Sequence, residues 1–395
     1  MRIFLRIWGQ EIGRILKDPG SMLLMVFAVF FYSLFYPMPY RQEVLKEVPI
    51  ALVDFDRSAV SRQLGRMIDA TEEVSVACRP RDLDEAQRLF MDRKVYGLVV
   101  IPEGFERKVY RQEQATVSVY ADGGYFLMNR QVRGGVSRAV GTLSAGVEIK
   151  RLEASGLNHQ AAMDSRAPLQ LVATALGNPA GGYGAYVVPA VFVLVLQQTL
   201  LAGISMLAGA PVKSGHIATT SVLTTVLGKA AAYLPIYLGH AAYYLVICPR
   251  VYGFRQQGDA VSLLILVIPF LLSVIFLGMA IANLSPDREV PMMVVVFSSL
   301  PLLFLSGFSW PPEAFPSWVR ALSWFVPTTA GIDGLLRINQ MGAGWRHVAG
   351  DWLVLGGLAC LYFPVACWSE ARLRRRHTGN HAGSENFATS HCGLP

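Results

Sequence analysis

Charge is what this chain has least of. Asp, Glu, Lys and Arg make up 16% of its 395 residues, against about 25% in an ordinary soluble protein. Cysteine is sparse as well. Cys78, Cys248, Cys360, Cys367 and Cys392 stand apart, with no C-x-x-C or Cys/His spacing, which excludes a disulfide framework or a zinc ribbon and leaves small apolar packing residues. No G-x-x-x-x-G-K-[ST] loop exists: Gly228-Lys229 runs into Ala230 and lacks the upstream glycine, so nothing cradles the phosphates of a nucleotide. Neither G-x-S-x-G nor H-E-x-x-H occurs, and no nucleophile or metal site suggests a membrane enzyme. The net charge of +7 does not indicate a nucleic-acid partner, because no basic run is interleaved with aromatic stacking residues.

The missing charge is accounted for by six apolar stretches: Ser21–Met38, Tyr183–Leu207, Val222–Ile247, Val261–Leu284, Val290–Phe308 and Trp352–Trp368. Each is long enough to cross about 30 Å of hydrocarbon as a helix, which satisfies its own backbone in lipid. The first is too long for a cleaved h-region and has no small-x-small site after it, so it is expected to stay as a signal anchor. Arg2, Arg6, Arg14 and Lys17 precede it against Glu11 and Asp18, and Arg372, Arg374, Arg375 and Arg376 follow the last. The positive-inside bias therefore puts both ends in the cytoplasm, as six spans require. Residues 39–182 then form one large extracytoplasmic segment.

Residues 1–20 read as an amphipathic interfacial helix that Asp18-Pro19-Gly20 ends, with its basic residues at headgroup level. Within 39–182, strands are expected at Val48–Val53, Val74–Cys78, Tyr96–Ile101 and Thr116–Tyr120. Helices are expected at Ser58–Ile68, from the capping box Asp82-Leu83-Asp84-Glu85 to Asp92, at Gly104–Arg111 and at about Tyr125–Ala154. This order predicts a compact α/β domain, with 155–182 as a polar, Gly-rich linker. Residues 183–369 hold five spans. The loops 208–221 and 285–289 face the cytoplasm by alternation. The outward loop 309–351 carries Pro311, Pro312, Pro316 and Pro327 with Trp310, Trp318, Trp324 and Trp345, a composition for short helices in the outer leaflet. The tail 370–395 is basic, then polar without periodicity, and is expected to be disordered. The fold class is thus an α-helical membrane protein: six transmembrane helices, an interfacial N-terminal helix, a re-entrant segment before the last span and an extracytoplasmic α/β domain.

The run Ser306-Gly307-Phe308-Ser309-Trp310-Pro311-Pro312-Glu313-Ala314-Phe315-Pro316-Ser317-Trp318, followed by Ser323, Pro327-Thr328-Thr329, Arg337 and Gly342, resembles the re-entrant segment (309–345 here) of type-2 ATP-binding-cassette (ABC) exporter permeases. Leu227-Gly228-Lys229 and Lys17-Asp18-Pro19 resemble that family too, and the layout resembles its branch with a large insert after the first span. Gly209-Ala210-Pro211-Val212-Lys213-Ser214-Gly215-His216 stands where members often carry a Glu-Arg…Gly-Thr-x-Glu signature. The resemblance implies a permease that exports a small amphipathic compound or an envelope component from a bacterial inner membrane. It also implies a separate cytoplasmic ATPase that binds ATP and Mg, a second permease (the same or a different chain), and a membrane-fusion adaptor as a further partner, with no cofactor on this chain. On that reading Arg14, Lys17, Asp18, Lys213 and His216 contact the ATPase, and Gln198, His240, Gly307, Pro311, Pro316, Pro327, Asp333 and Arg337 line the pathway or its gate.

Several of these residues have a plainer alternative. His240 and Gln198 are either pathway groups or packing groups bonded inside the bundle. Asp333 and Arg337, four apart, are either a gate latch or an ordinary helical pair. Lys229 is either a snorkelling residue at a span end or a phosphate contact. Asp54 and Asp56 either bind a cation or build a turn beside Arg57. The prolines at 189, 235, 269, 301 and 364 permit bends. A competing reading of the whole chain is a receptor or scaffold with an outward sensor domain, although no output domain is present.

Overall fold

The computed structural model describes residues 1–390 apart from 42–43, 170–176, 179–181, 209–219, 255 and 286, with side chains described as far as Arg375. Two compact units emerge, 44–174 and the remainder of the chain.

In chain order the elements are α1 (Arg2–Lys17), α2 (Pro19–Tyr40), β1 (Val48–Asp54), α3 (Ala59–Asp69), β2 (Val74–Cys78), α4 (Leu83–Met91), β3 (Gly97–Ile101), α5 (Phe105–Tyr110), β4 (Ser118–Ala121), α6 (Phe126–Ala154) and α7 (His159–Arg166). There follow α8 (Tyr183–Met206), α9 (Val222–Tyr252), α10 (Ala260–Ala282), α11 (Glu289–Leu305), α12 (Ser317–Ser323), α13 (Pro327–Met341) and α14 (Ala349–Ser390).

The smaller unit is a four-stranded sheet in the order β2-β1-β3-β4, parallel except for the last pair. β1 is central and buried on both faces, as an apolar run without alternation requires. Ile50, Leu52 and Val99 of the sheet pack with Leu64 and Ile68 of α3 and Val132 and Val136 of α6. The Asp82 side chain caps α4 through the Glu85 amide at 2.7 Å, while the Glu85 carboxylate accepts from Arg81 N at 2.9 Å. Every strand and helix expected here is present. The linker differs: Asn158 accepts from the Ala161 amide at 2.8 Å and starts α7, a cap signal that the glycine content of 155–182 had masked.

Asp54 and Asp56 build the turn after β1 rather than a ligand site. Asp54 accepts from the amides of Asp56 and Arg57 and from Ser61 Oγ. Asp56 accepts from the amides of Phe105 and Glu106, each at 3.0 Å, at the start of α5. Burial pushes its carboxyl pKa up, but hydrogen bonds from Ser58 and the Glu106, Phe105 and Gly104 amides outweigh this and leave it below the ordinary value.

Among the described residues of the larger unit, five helices are long and apolar enough to cross a membrane: α2, α8, α9, α10 and the part of α14 up to Arg375. The sixth apolar stretch, α11, is 17 residues long, about 25 Å at 1.5 Å per residue. It stops because Gly307 takes a left-handed φ of 82°. Helices α8 and α10 are enclosed on most sides. α1 is amphipathic as expected, but its stripe Ile7, Glu11 and Ile15 is buried. It lies on α9: Trp8 Nε1 donates to Ala231 O at 3.0 Å, and a Cβ at Gly228 would come within 2.9 Å of Ile7 Cγ2. Asp18 turns extended, ends α1 and caps α2 through the Ser21 amide at 2.8 Å, with Pro19 at the first helical position. The five intraspan prolines all sit inside continuous helices. α14 carries its backbone helix on to Ser390, where the sequence reading has a disordered tail. A helix already nucleated by packing gains one hydrogen bond for each residue added, and no proline interrupts it after Pro364.

Asp56→Ala should destabilise the α/β unit by about 1 kcal/mol, the usual worth of a helix cap. Because the folded carboxyl pKa is lowered, the wild-type contribution is present above about pH 4 and is lost as pH falls through the lowered value; Asp56→Asn removes that acid dependence. Faster hydrogen exchange at the Phe105 and Glu106 amides, followed against pH, is the measurement.

Candidate functional site

Two clusters of polar groups occupy opposite ends of the membrane-length part of α14, which runs to Arg375. Asp351 and Glu370 are nineteen residues apart on one helix, about 28 Å by rise, close to the thickness of a hydrocarbon core.

The first cluster is a junction of five helices. Glu11, buried in the apolar stripe of α1, accepts the Tyr233 hydroxyl of α9 in a short hydrogen bond and pairs with Arg14 Nη1 at 2.9 Å. Arg14 Nη2 reaches the Leu207 carbonyl at the end of α8, at 2.8 Å. Lys229 Nζ of α9 meets Glu370 Oε2 of α14 at 3.0 Å, and both side chains are largely out of water. Arg374 Nε approaches the other oxygen of Glu370 at 3.3 Å and donates to Thr225 Oγ1 and the Thr220 carbonyl, each at 2.6 Å. Asn283, past the end of α10, donates to Ser369 Oγ at 3.2 Å. Charges taken out of water in this way demand partners in fixed geometry, and losing one partner leaves the other uncompensated.

This arrangement assigns several residues read from sequence. Lys229 is held in an ion pair rather than snorkelling free. Arg14 and Asp18 are engaged inside the bundle, Asp18 also lying 3.6 Å from Arg288 Nη1. Lys17 is exposed. Lys213 and His216 lie outside the described residues. Sequence reasoning missed Glu11 and Glu370 as structural partners, since orientation is read from Lys and Arg alone. The available signal was an acid four residues from Ile7 and from Ile15 in an otherwise apolar stripe.

The second cluster lines a cavity of about 600 Å³ between the ends of α8 and α11, the segment 306–313, α12, α13 and the start of α14. Gly307 turns the chain there, and Tyr186 of α8 donates a short hydrogen bond to the Phe308 carbonyl. Thr329 Oγ1 of α13 holds the Leu305 carbonyl at 3.1 Å. Arg337 pairs closely with Asp333, as the four-residue spacing suggests, and also with Asp351 Oδ2 at 3.0 Å. Arg320 donates to the carbonyls of Pro312 and Glu313 at 3.2 and 2.8 Å. Pro316 and Pro327 set the starts of α12 and α13, and Pro311 precedes the short turn Pro312–Ala314.

The structure therefore brings Gly307, Asp333 and Arg337 together at one cavity and adds Asp351, which sequence reading had left at the end of the outward loop 309–351. Gln198 and His240 are not in its lining. The His240 ring abuts Tyr237 at 5.1 Å and Phe30 at 6.3 Å, and its Nδ1 and the Gln198 amide have no hydrogen-bond partner among the described residues. Among the described residues no group of His, Cys, Asp or Glu is placed to hold a metal.

Residues 20–368 match the family model described as ABC-2 family transporter protein. The chain belongs to that family. It is a multi-pass membrane permease subunit of an ABC exporter, and the family implies a partner ABC ATPase. It is 22% identical over 337 residues to "Probable multidrug ABC transporter permease YbhR" of Escherichia coli (strain K12), covering 82% of this chain and 87% of that one. It is 22% identical over 397 residues to "Linearmycin resistance permease protein LnrN" of Bacillus subtilis (strain 168), covering 92% and 98%. In this ABC-2 permease the matched residues contain the whole cavity and Lys229 and Tyr233 of the junction. Glu11, Arg14, Glu370 and Arg374 fall just outside them.

Two outcomes are expected. Lys229→Gln and Glu370→Gln should each destabilise the purified permease by about 3 kcal/mol. The double variant should lose less than the sum, with a coupling of about 1–3 kcal/mol in thermal unfolding. Gly307→Ala should cost about 1–2 kcal/mol for left-handed backbone, and its Cβ would sit 2.8 Å from Pro312 Cγ; a lowered melting temperature with reduced export is the readout.

Proposed function

We propose that this permease is the membrane half of an ATP-driven exporter that moves a small amphipathic compound or an envelope component out of the cytoplasm. It sits in a bacterial inner membrane with both termini cytoplasmic. α11 serves as the sixth span, with the turn at Gly307 and the segment 309–345 re-entering the outer leaflet. Residues 39–182 are extracytoplasmic and either receive substrate or dock an adaptor. Two permeases, identical or different, enclose the pathway. ATP and Mg bind a separate ATPase, and this chain performs no catalysis.

The observation that carries this reading is the family match across 20–368, which takes in all six apolar stretches and the insert between the first two. The relatives named for multidrug transport and linearmycin resistance support a drug-like cargo over an envelope component. The junction supports a route for coupling. α1 and the loop 208–221 would meet the ATPase, and Glu11, Arg14, Lys229 and Glu370 tie that surface to α8, α9 and α14. Repositioning α1 then biases these helices between two packings.

The test has two arms. The permease should co-purify with an ATPase and give ATP-dependent efflux, and a cysteine at exposed Tyr110 should react with an impermeant maleimide in intact spheroplasts. No ATPase even after crosslinking, or labelling only after lysis, would overturn the reading.

A further inference from the structure

The geometry points to the cavity beside Gly307 and Arg337 as a binding site for a monocationic amphiphile, an aromatic or alkyl body carrying one ammonium or phosphonium centre. This deepens the exporter reading and rests on it, by naming the cargo class that the opposite end of the bundle from the junction would accept.

The cavity falls within the size range of about 300–1,000 Å³ that takes drug-sized ligands. Its walls are mostly apolar and aromatic, with Tyr186, Phe308 and Trp324 among them. Five charged side chains line it: the carboxylates of Glu313, Asp333 and Asp351, and the guanidiniums of Arg320 and Arg337. The formal balance is one negative charge.

The distribution matters more than the sum. Both guanidiniums are already partly committed. Arg320 bonds two carbonyls across its own loop, and Arg337 serves Asp333, Asp351 and the His347 carbonyl. An anionic ligand would find N–H groups left over on both guanidiniums, but it would face three carboxylates against two guanidiniums. The acids are committed unequally. Asp351 is buried against Arg337. The Asp333 side chain is 59% exposed, with acceptor capacity beyond one arginine. Glu313 is exposed, and among the described residues nothing pairs with its carboxylate. A cation entering the cavity thus meets an unspent carboxylate and π faces able to hold it, while its apolar body is removed from water against the walls.

The test uses two ions of the same shape and opposite charge. Full-length permease in nanodiscs, without nucleotide, is equilibrated with tetraphenylphosphonium or tetraphenylborate, and uptake by empty nanodiscs is subtracted. Saturable binding of the phosphonium alone is expected. Its Kd should rise about fivefold in Glu313→Gln and about tenfold in Glu313→Gln/Asp333→Asn, with Glu313→Asp close to wild type. Glu313 is exposed, so its replacement leaves folding intact. Equal saturable binding of both ions, no saturable phosphonium binding, or an unchanged Kd in Glu313→Gln overturns the cation site. The two readings fail separately. Loss of charge selectivity in a permease that still co-purifies with an ATPase retires this site alone, whereas selective binding without any ATPase partner retires the exporter reading alone.

Discussion

A charge cannot be left unpaired inside hydrocarbon, and that constraint organises the larger unit. Apolar side chains give helices no reason to prefer one another over lipid. Their arrangement has to be specified by groups that lipid will not accept. Here the charged ones collect at the two ends of the membrane-length part of α14. At one end Lys229, Glu370 and Arg374 bind α9 to α14, while Glu11 with Tyr233 and Arg14 binds α1 to α9 and α8. At the other, Arg337 clasps α13 to α14 through Asp351. Charge pairs at both ends fix neighbouring helices, and between them Tyr237 bonds Thr199 and Tyr244 bonds the Val29 carbonyl, joining α9 to α8 and α2.

This placement has a mechanical consequence. α14 is one of two helices with a share in both clusters, α8 being the other through Tyr186 and the Leu207 carbonyl, so a displacement of Glu370 by the junction is carried along a continuous helix to Asp351. Pro364 lies between them and removes one backbone hydrogen bond, so the rod is softest a turn and a half from the junction end. The cavity end is braced differently. Tyr186 and Thr329 hold the chain at Phe308 and Leu305 by backbone carbonyls, which pins the turn at Gly307 whatever side chains surround it. On the proposed exporter reading, nucleotide-driven movement enters through side-chain ion pairs and meets a segment fixed by its backbone. Ion pairs exchange partners at small cost in geometry, and a left-handed turn does not.

Much of this was legible in the sequence because the strongest signals are local. Strand and helix alternation in 44–154 follows from short apolar runs, caps and turn residues, and Asp82-Leu83-Asp84-Glu85 forms the cap its spacing describes. The Asp333 and Arg337 pair follows from helical spacing alone. What escaped was long range. Glu11 pairs with a tyrosine 222 positions away and Lys229 with a carboxylate 141 positions away, and no spacing rule connects residues across so many helices. α11 looked as long as its neighbours because composition does not register a left-handed glycine. Asp351 was hidden by lying at the boundary of an apolar stretch, where a lone acid reads as flanking charge.

The boundary of the family match divides the two clusters in a way that bears on their roles. The cavity lies wholly within residues 20–368, whereas Glu11, Arg14, Glu370 and Arg374 lie beyond either edge. Tyr233 and Lys229 lie inside it, yet each is satisfied by an acid outside it. The helices' apolar faces and the cavity turn are therefore features the family model itself spans, and the junction is completed by the chain's own flanks. In this bundle the turn at Gly307 is held by hydrogen bonds to backbone carbonyls, and the junction by side-chain charge pairs. Charged residues are suited to that second task. Their pairing is strong once desolvated but indifferent to the apolar packing behind it, so the junction holds its helices together without dictating how their apolar faces meet.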